Sequence, residues 1–245
     1  MTRYAIQLSY NGGHYFGWQR QPKEISVQEV LEKAFSTILR EEIAVTGAGR
    51  TDTGVHASFY IAHFDTENEI ADPVQLAYKL NRFLPADIAI QKIFPVNSDF
   101  HARFSAVSRT YKYFISIVKN PFSTETSFQY TVPLNIDLMN EAAKMLFEFT
   151  DFTSFSKLHT DVKTNNCKIY QAEWERQGDQ LVFTIKADRF LRNMVRAIVG
   201  TLIEVGKGKI SIEQFTEIIE RKDRGEAGTS VPPQGLFLVD IEYNA

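Results

Sequence analysis

Two hydrophobic periods alternate along this chain, and no other feature limits its fold as much. Tyr4, Ile6, Leu8 and Tyr10 share one face at the period of two that marks a half-buried strand. Ser26-Val27-Gln28-Glu29 then reads as a capping box, and Val27, Val30, Leu31, Ala34, Phe35, Ile38 and Leu39 recur at helical spacing behind it. Ser58 to Phe64 is a run of strand formers. Asp72-Pro73 opens a second helix with a capping residue and a first-turn proline, and Leu84-Pro85 stops it. Ala89 to Val96 and Ser108 to Val118 read as strands, and Asp137 to Phe147 as a helix. Lys168 to Arg176 and Leu181 to Ala187 form a hairpin around Gly178-Asp179. Phe190 to Val205 reads as a helix ending on Gly206, and Ser211 to Lys222 as another, opened by Ser211…Gln214. Gly235 to Tyr243 closes the chain as a strand.

The order strand, helix, strand, helix, strands is thus followed by much the same order again. It predicts an α/β (α+β) protein of two halves, residues 1–105 and 106–245, with mixed or antiparallel sheets and helices packed on one side. No low-complexity linker separates the halves, and no sequence repeat relates them. With 245 residues and a hydrophobic fraction of 44%, the chain can bury a sizeable core.

Charge excludes more than it proposes. Charged residues make up 23% and the formal net charge is −3, so nucleic acid would need a local basic face rather than an overall attraction. Cys167 is the sole cysteine, which leaves no intramolecular disulfide and no CxxC metal site. With no histidine near it in sequence, it reads as a small semi-buried thiol. The opening MTRYAIQLSY lacks a signal-peptide pattern, and no apolar run approaches the ~18 residues of a membrane span; the expected location is cytoplasmic.

The most polar and glycine-rich stretch of the first half is GAGRTDTGVHA, residues 47–57. A dinucleotide GxGxxG would need a third glycine where Asp52 stands, and a carboxylate there repels pyrophosphate. The GxxxxG spacing of Gly49 to Gly54 suits a phosphate loop. Val55 and His56 follow instead of Lys and Ser/Thr, so that reading fails too. His14, His56, His63, His101 and His159 show no ligand spacing, so no metal site is expected. What remains is a glycine-flanked Arg50-Thr51-Asp52. The plain alternative is a surface turn in which Arg50 and Asp52 pair. Two features favour chemistry: the glycines let a ligand approach closely, and Val55, Ala57, Phe59 and Ile61 alternate toward a core, which sets Asp52 near the mouth of a buried strand.

Five further blocks stand beside GRTDTGVHA: Tyr10-Asn-Gly…Phe16-Gly-Trp-Gln, Phe100-His-Ala-Arg-Phe-Ser-Ala, Ser108-Arg-Thr-Tyr-Lys-Tyr, Phe190-Leu-Arg-Asn-Met-Val-Arg-Ala-Ile-Val-Gly and Pro232-Pro-Gln-Gly-Leu-Phe-Leu. With it, they resemble the blocks of the tRNA pseudouridine synthase A family, in that family's order. They run from near the first residue to near the last.

The resemblance implies the pseudouridine synthase fold, with the second half completing an active-site cleft. The implied enzyme is an isomerase that detaches uracil from its ribose, turns it and rejoins it through C5, without metal or organic cofactor. Asp52 matches the family's essential aspartate, able to attack the uracil ring or the anomeric carbon. Tyr111 matches the active-site tyrosine, which could stack on the extruded base. Without the resemblance it reads as one rung of the stripe Tyr111, Tyr113, Ile115, Ile117. Arg196 matches the ion-pair partner of Asp52, and Arg50 is expected to hold or replace the flipped nucleotide. The implied substrate is tRNA, at positions 38, 39 and 40 of the anticodon arm, and the implied assembly is a homodimer.

Arg189, Arg192 and Arg196 recur at i, i+3, i+7 and on a helix would share one side, a candidate phosphate track. Arg20, Lys23, Arg103, Arg109 and Lys112 could extend it, with Phe16, Trp18 and Phe104 as stacking candidates and His56 and His101 in structural or RNA-contact roles. Contacts of the loop Phe152 to Lys163 are not carried over from the family. A rival reading is a tRNA-binding chaperone of the same fold without catalysis. Another is a synthase acting on a different RNA.

Overall fold

In the computed structural model, residues 1–157 and 164–244 are described. His159 and the 158–163 part of the polar loop lie outside them. In chain order the first elements are β1 (Thr2–Tyr10), α1 (Val27–Leu39), β2 (Val45–Gly47), β3 (His56–Thr66), α2 (Pro73–Phe83) and β4 (Ile88–Pro95). There follow β5 (Ala106–Ser116), β6 (Phe128–Gln129), α3 (Ile136–Met145), β7 (Ile169–Gln177), β8 (Gln180–Ala187), α4 (Met194–Gly206), α5 (Ile212–Arg221) and β9 (Leu236–Tyr243). Strands and helices thus alternate in a mixed α/β protein whose strand pairs are mostly antiparallel. The chain forms two compact units, one of Met1–Val107 with Phe237–Ala245 and one of Ser108–Leu236.

In the first unit β1 lies between β4 and β3, antiparallel to both. β2 pairs with the far end of β3, and β9 runs parallel to its near end through His56↔Phe237 and Ala57↔Leu238. Strands on both flanks make β3 central. Tyr60, Ala62 and Phe64 are buried on one face and Ala57, Ile61 and His63 on the other, while Phe59 is only half-buried. One-sided alternation therefore describes β1 but only half of β3. α1 begins where the capping pattern predicts, with Ser26 accepting from the Glu29 N–H; it buries Val27, Leu31, Ala34 and Phe35.

In the second unit β8 pairs antiparallel with β5 and β7, and the short β6 runs parallel to β5. α3 packs on β7, α4 and α5. α5 carries the full Ser211–Gln214 capping box. Eleven of the 13 residues of α4 are buried, which makes it a helix covered on nearly every side.

The helix expected from Phe190 starts only at Met194. Arg189 and Arg192 precede it in irregular chain, so they do not share a helical face with Arg196. Asn193 explains the delay: its backbone is left-handed (φ 67, ψ 0) and cannot continue a right-handed turn. Upstream, the Asp188 carboxylate accepts from the N–H groups of Arg189 and Lys168, a local bonding pattern that competes with helix.

Candidate active site

In the first unit the loop from Arg50 to Val55 crosses from β2 to β3, and the chain between β1 and α1 holds it. The Tyr10 hydroxyl bonds the buried Thr51 hydroxyl at 2.9 Å, and the Trp18 N–H donates to the Thr51 carbonyl at 3.3 Å. The Gly54 N–H donates to the Tyr15 carbonyl, and the Val55 N–H closes a turn on the Asp52 carbonyl at 3.1 Å. Tyr15 is itself anchored, its hydroxyl donating to Asp87 at 2.6 Å. Burial and that carboxylate push its pKa above the ordinary tyrosine range. Gly17 lies so close that a Cβ would stand 2.3 Å from the Thr51 carbonyl oxygen, and its φ of +83 excludes ordinary side chains as well.

These contacts fix the residues on each side of Asp52 through backbone and hydroxyl groups, and Asp52 itself is half-buried. Tyr60 brackets the entry: its hydroxyl donates to the Gly49 carbonyl and accepts from the Gly49 N–H, while its ring stacks on Trp18 with centroids 4.1 Å apart. A Cβ on Gly49 would meet no protein atom within 4 Å, so the chain's own packing does not require that glycine. Trp18 is 2% exposed and is core, not a platform for a base.

Sequence candidates exposed at the surface of this unit include Arg50 and Arg20, the latter 3.4 Å from Glu32. His56 differs: it is 1% exposed, stacks on Phe237 at 4.5 Å and accepts at Nδ1 from the Gly12 N–H. Of its two expected roles, burial favours the structural one.

The Phe100–Ala106 block forms a tight turn braced from three strands. Arg3 of β1 donates to the Phe100 carbonyl, His63 of β3 accepts from the Ala102 N–H, and Tyr243 of β9 donates to the Ala102 carbonyl. His101 turns its Nδ1 inward to accept from the N–H groups of Arg103 and Phe104. The turn thereby presents Phe104, largely exposed, with the Arg103 guanidinium 5.5 Å from its ring centre.

In the second unit Tyr111 sits opposite Ile185 in the β5–β8 ladder. On the same face Tyr113 and Ile115 are wholly buried, whereas Tyr111 is only half-buried and meets Phe190 edge to face at 5.1 Å. The core stripe therefore stops one rung before Tyr111, and its phenol stands at the edge of the core. Arg109, one rung further out, donates to the Asp188 carbonyl at 2.9 Å. Tyr113 donates to the Pro232 carbonyl, and burial keeps its proton on, against the pull of the nearby Arg196 charge.

Arg196 is one of two charged residues on α4. The other, Glu204, pairs with Lys207 and Lys209. Arg196 instead donates from Nε to the Val231 carbonyl at 2.7 Å, and the Val231 N–H returns a bond to the Arg196 carbonyl. The Pro232–Leu238 block thus follows directly on the residue that holds this guanidinium. Arg192 is exposed and Arg189 half-buried. Cys167 is buried, and burial pushes its thiol up to about 12, which removes it as a nucleophile.

Sequence reasoning missed the groups that set the loop: the Tyr10 hydroxyl, the Tyr15 carbonyl and the hydroxyls of Thr51 and Tyr60. The first two fall inside or beside a motif block, but no spacing rule connects them to Asp52. Among the described residues no cluster of His, Cys, Asp or Glu could hold a metal ion, and no helix is long and apolar enough to cross a membrane.

The sequence matches the model of a family described as tRNA pseudouridine synthase over residues 6–105 and 142–244. The tRNA pseudouridine synthase A of Parabacteroides distasonis is 58% identical over 243 residues, covering 99% of this chain and 96% of that protein. That of Bacteroides fragilis is 58% identical over 244 residues, covering 99% and 97%. That of a Thermoanaerobacter species is 42% identical over 246 residues, covering 99% and 100%.

Proposed function

The chain belongs to the tRNA pseudouridine synthase family, and from that premise we propose that it isomerises uridine to pseudouridine at positions 38, 39 and 40 of the tRNA anticodon stem-loop. The observation that carries this reading is the Asp52 loop. A carboxylate is held in a turn clamped by Tyr10, Tyr15, Gly17 and Trp18, beside a glycine whose side-chain space is open.

The reaction balances without an added reagent. The N1–C1′ bond breaks, the uracil turns, a C5–C1′ bond forms, C5 gives up its proton and N1 gains one. Asp52 acts as nucleophile, on the ring or on the anomeric carbon. Tyr111, at the edge of the buried stripe, stacks on the flipped base and serves proton transfer at C5. Arg196 supplies the cation that the resemblance sets against Asp52, and Arg50 holds or replaces the extruded nucleotide.

Arg20, Arg103, Arg109, Arg189 and Arg192 contact the RNA backbone, with Phe104 offered for stacking. They act as separate points, since no single helix carries the last two with Arg196. His56 serves the same surface indirectly, by fixing Gly12. We place the enzyme in the cytoplasm, where it works as a homodimer.

Primer extension after carbodiimide treatment tests the assignment on tRNA transcripts carrying uridines at 38, 39 and 40. Stops at those positions and nowhere else are expected. Stops only at other positions would move the enzyme to another substrate, and none on any tRNA would leave it a binding protein.

A further inference from the structure

The segment between α5 and β9 is laid along α4 more tightly than a connection requires. A Cβ on Gly200 would stand 1.9 Å from the Thr229 carbonyl oxygen, so helix and segment touch backbone to backbone. The Gly228 N–H donates to the Thr201 hydroxyl at 2.9 Å, which in turn donates to the Ala197 carbonyl. At the other end Val231 exchanges two bonds with Arg196. Asn193, at the N-cap position of α4, makes no side-chain cap; its amide reaches Ser230 Oγ at 2.6 Å instead.

The outer side of this strap is held by Arg224. Its guanidinium donates to Ser230 Oγ at 2.8 Å and, more loosely, to the carbonyls of Gly228 and Ala227 at 3.3 and 3.4 Å. All three acceptors are neutral and belong to the strap. A side chain with five fixed donors is suited to ordering a loop in this way, and a lysine, with a single ammonium, is less so.

We propose that Arg224 is a positioning residue for Arg196: it locks the 227–231 strap onto α4, and the Val231 carbonyl of that strap sets the direction of the Arg196 guanidinium. This inference rests on the role given above to Arg196. Arg224 acts one step removed, through Ser230 and the strap backbone, and touches no reacting atom.

Four proteins test it: Arg224→Met, Arg224→Lys, Arg196→Met and the double Arg224→Met/Arg196→Met. Arg224→Met is expected to lower kcat about 10- to 100-fold, as small misplacements of a working group do, while Kd for tRNA moves less than about threefold. Arg224→Lys should recover part of the loss. The double variant should be no slower than Arg196→Met alone, because the two losses share one route. Faster amide exchange at Gly228 and Val231 in Arg224→Met should report the loosened strap without any reference to activity.

An Arg224→Met protein with wild-type kcat beside an impaired Arg196→Met would overturn this inference and leave the function standing. So would unchanged exchange at both amides, a loss in tRNA affinity alone, or a double variant slower by the whole Arg224 factor. A fully active Arg196→Met would instead remove the role of Arg196 itself, and this inference with it.

Discussion

Arg3, Asp65, His63 and His101 surround the Phe100–Ala106 turn, and their charges make the first unit sensitive to acid. Arg3 and Asp65 form a two-point ion pair, with both N···O distances at 2.8 Å. His63 sits inside this cluster with its Nδ1 committed to Ala102. Burial above all, and then the Arg3 charge and His101, bring its pKa down to about 4, with Asp65 opposing. The folded state thus keeps His63 neutral while the unfolded chain takes up a proton near the ordinary value of 6.5. Between those values the unfolded state binds more protons, so stability falls as pH drops through the window. His101 is shifted in the same direction, chiefly by burial. Urea midpoints measured from pH 7 to 4.5 should therefore decline, and His63→Gln should flatten the decline; an unchanged slope would show that His63 is not its source. None of this was readable at residue level. Histidine spacing bears on whether two imidazoles could share a metal ion, but it does not reveal which imidazole is buried.

At the scale of elements, the Asp52 loop is set by its neighbours more than by its own residues. Gly17→Ala places a methyl group 2.3 Å from the Thr51 carbonyl oxygen in a backbone with φ +83. The expected cost is on the order of 1–3 kcal/mol of stability, with a fall in kcat because the displaced carbonyl adjoins Asp52. Thermal melting and turnover measured together check this, and wild-type values for both would contradict it. Elements with local signals were legible: the Ser26, Asp72 and Ser211 caps, the Gly178-Asp179 hairpin and the β1 alternation all lie where the sequence puts them. Two failures have the same cause. A periodic hydrophobic pattern across Phe190 to Val205 suggested one helix, but a single left-handed Asn193 diverts the chain, and its side chain serves Ser230, 37 residues away. β3 looked one-sided because alternation sees only the strand itself and not the strands on both flanks. Both outcomes depend on partners distant in sequence, which local patterns do not encode.

For the whole molecule, the comparisons and the motif blocks agree because both span the chain. The family match reaches residue 244, just past β9, the closing strand that returns to the first unit and pairs with β3 beside His56. Nothing in the alternation of Leu236 to Tyr243 says which sheet it joins. A net charge of −3 likewise hides the arginines proposed to meet RNA, since it averages them with acidic residues elsewhere. The glycine-rich stretch at 47–57 is where these scales meet: its residue types exclude phosphate loops, its neighbours clamp it, and a reaction is proposed for it. The central claim is that Asp52 carries that reaction. Single-turnover release of tritium from tRNA labelled at uridine C5 tests it, with wild type compared against Asp52→Ala. The expected result is full release by wild type and a loss of at least about a thousandfold for the variant, with tRNA affinity held within a few-fold. Equal release by both proteins would contradict it.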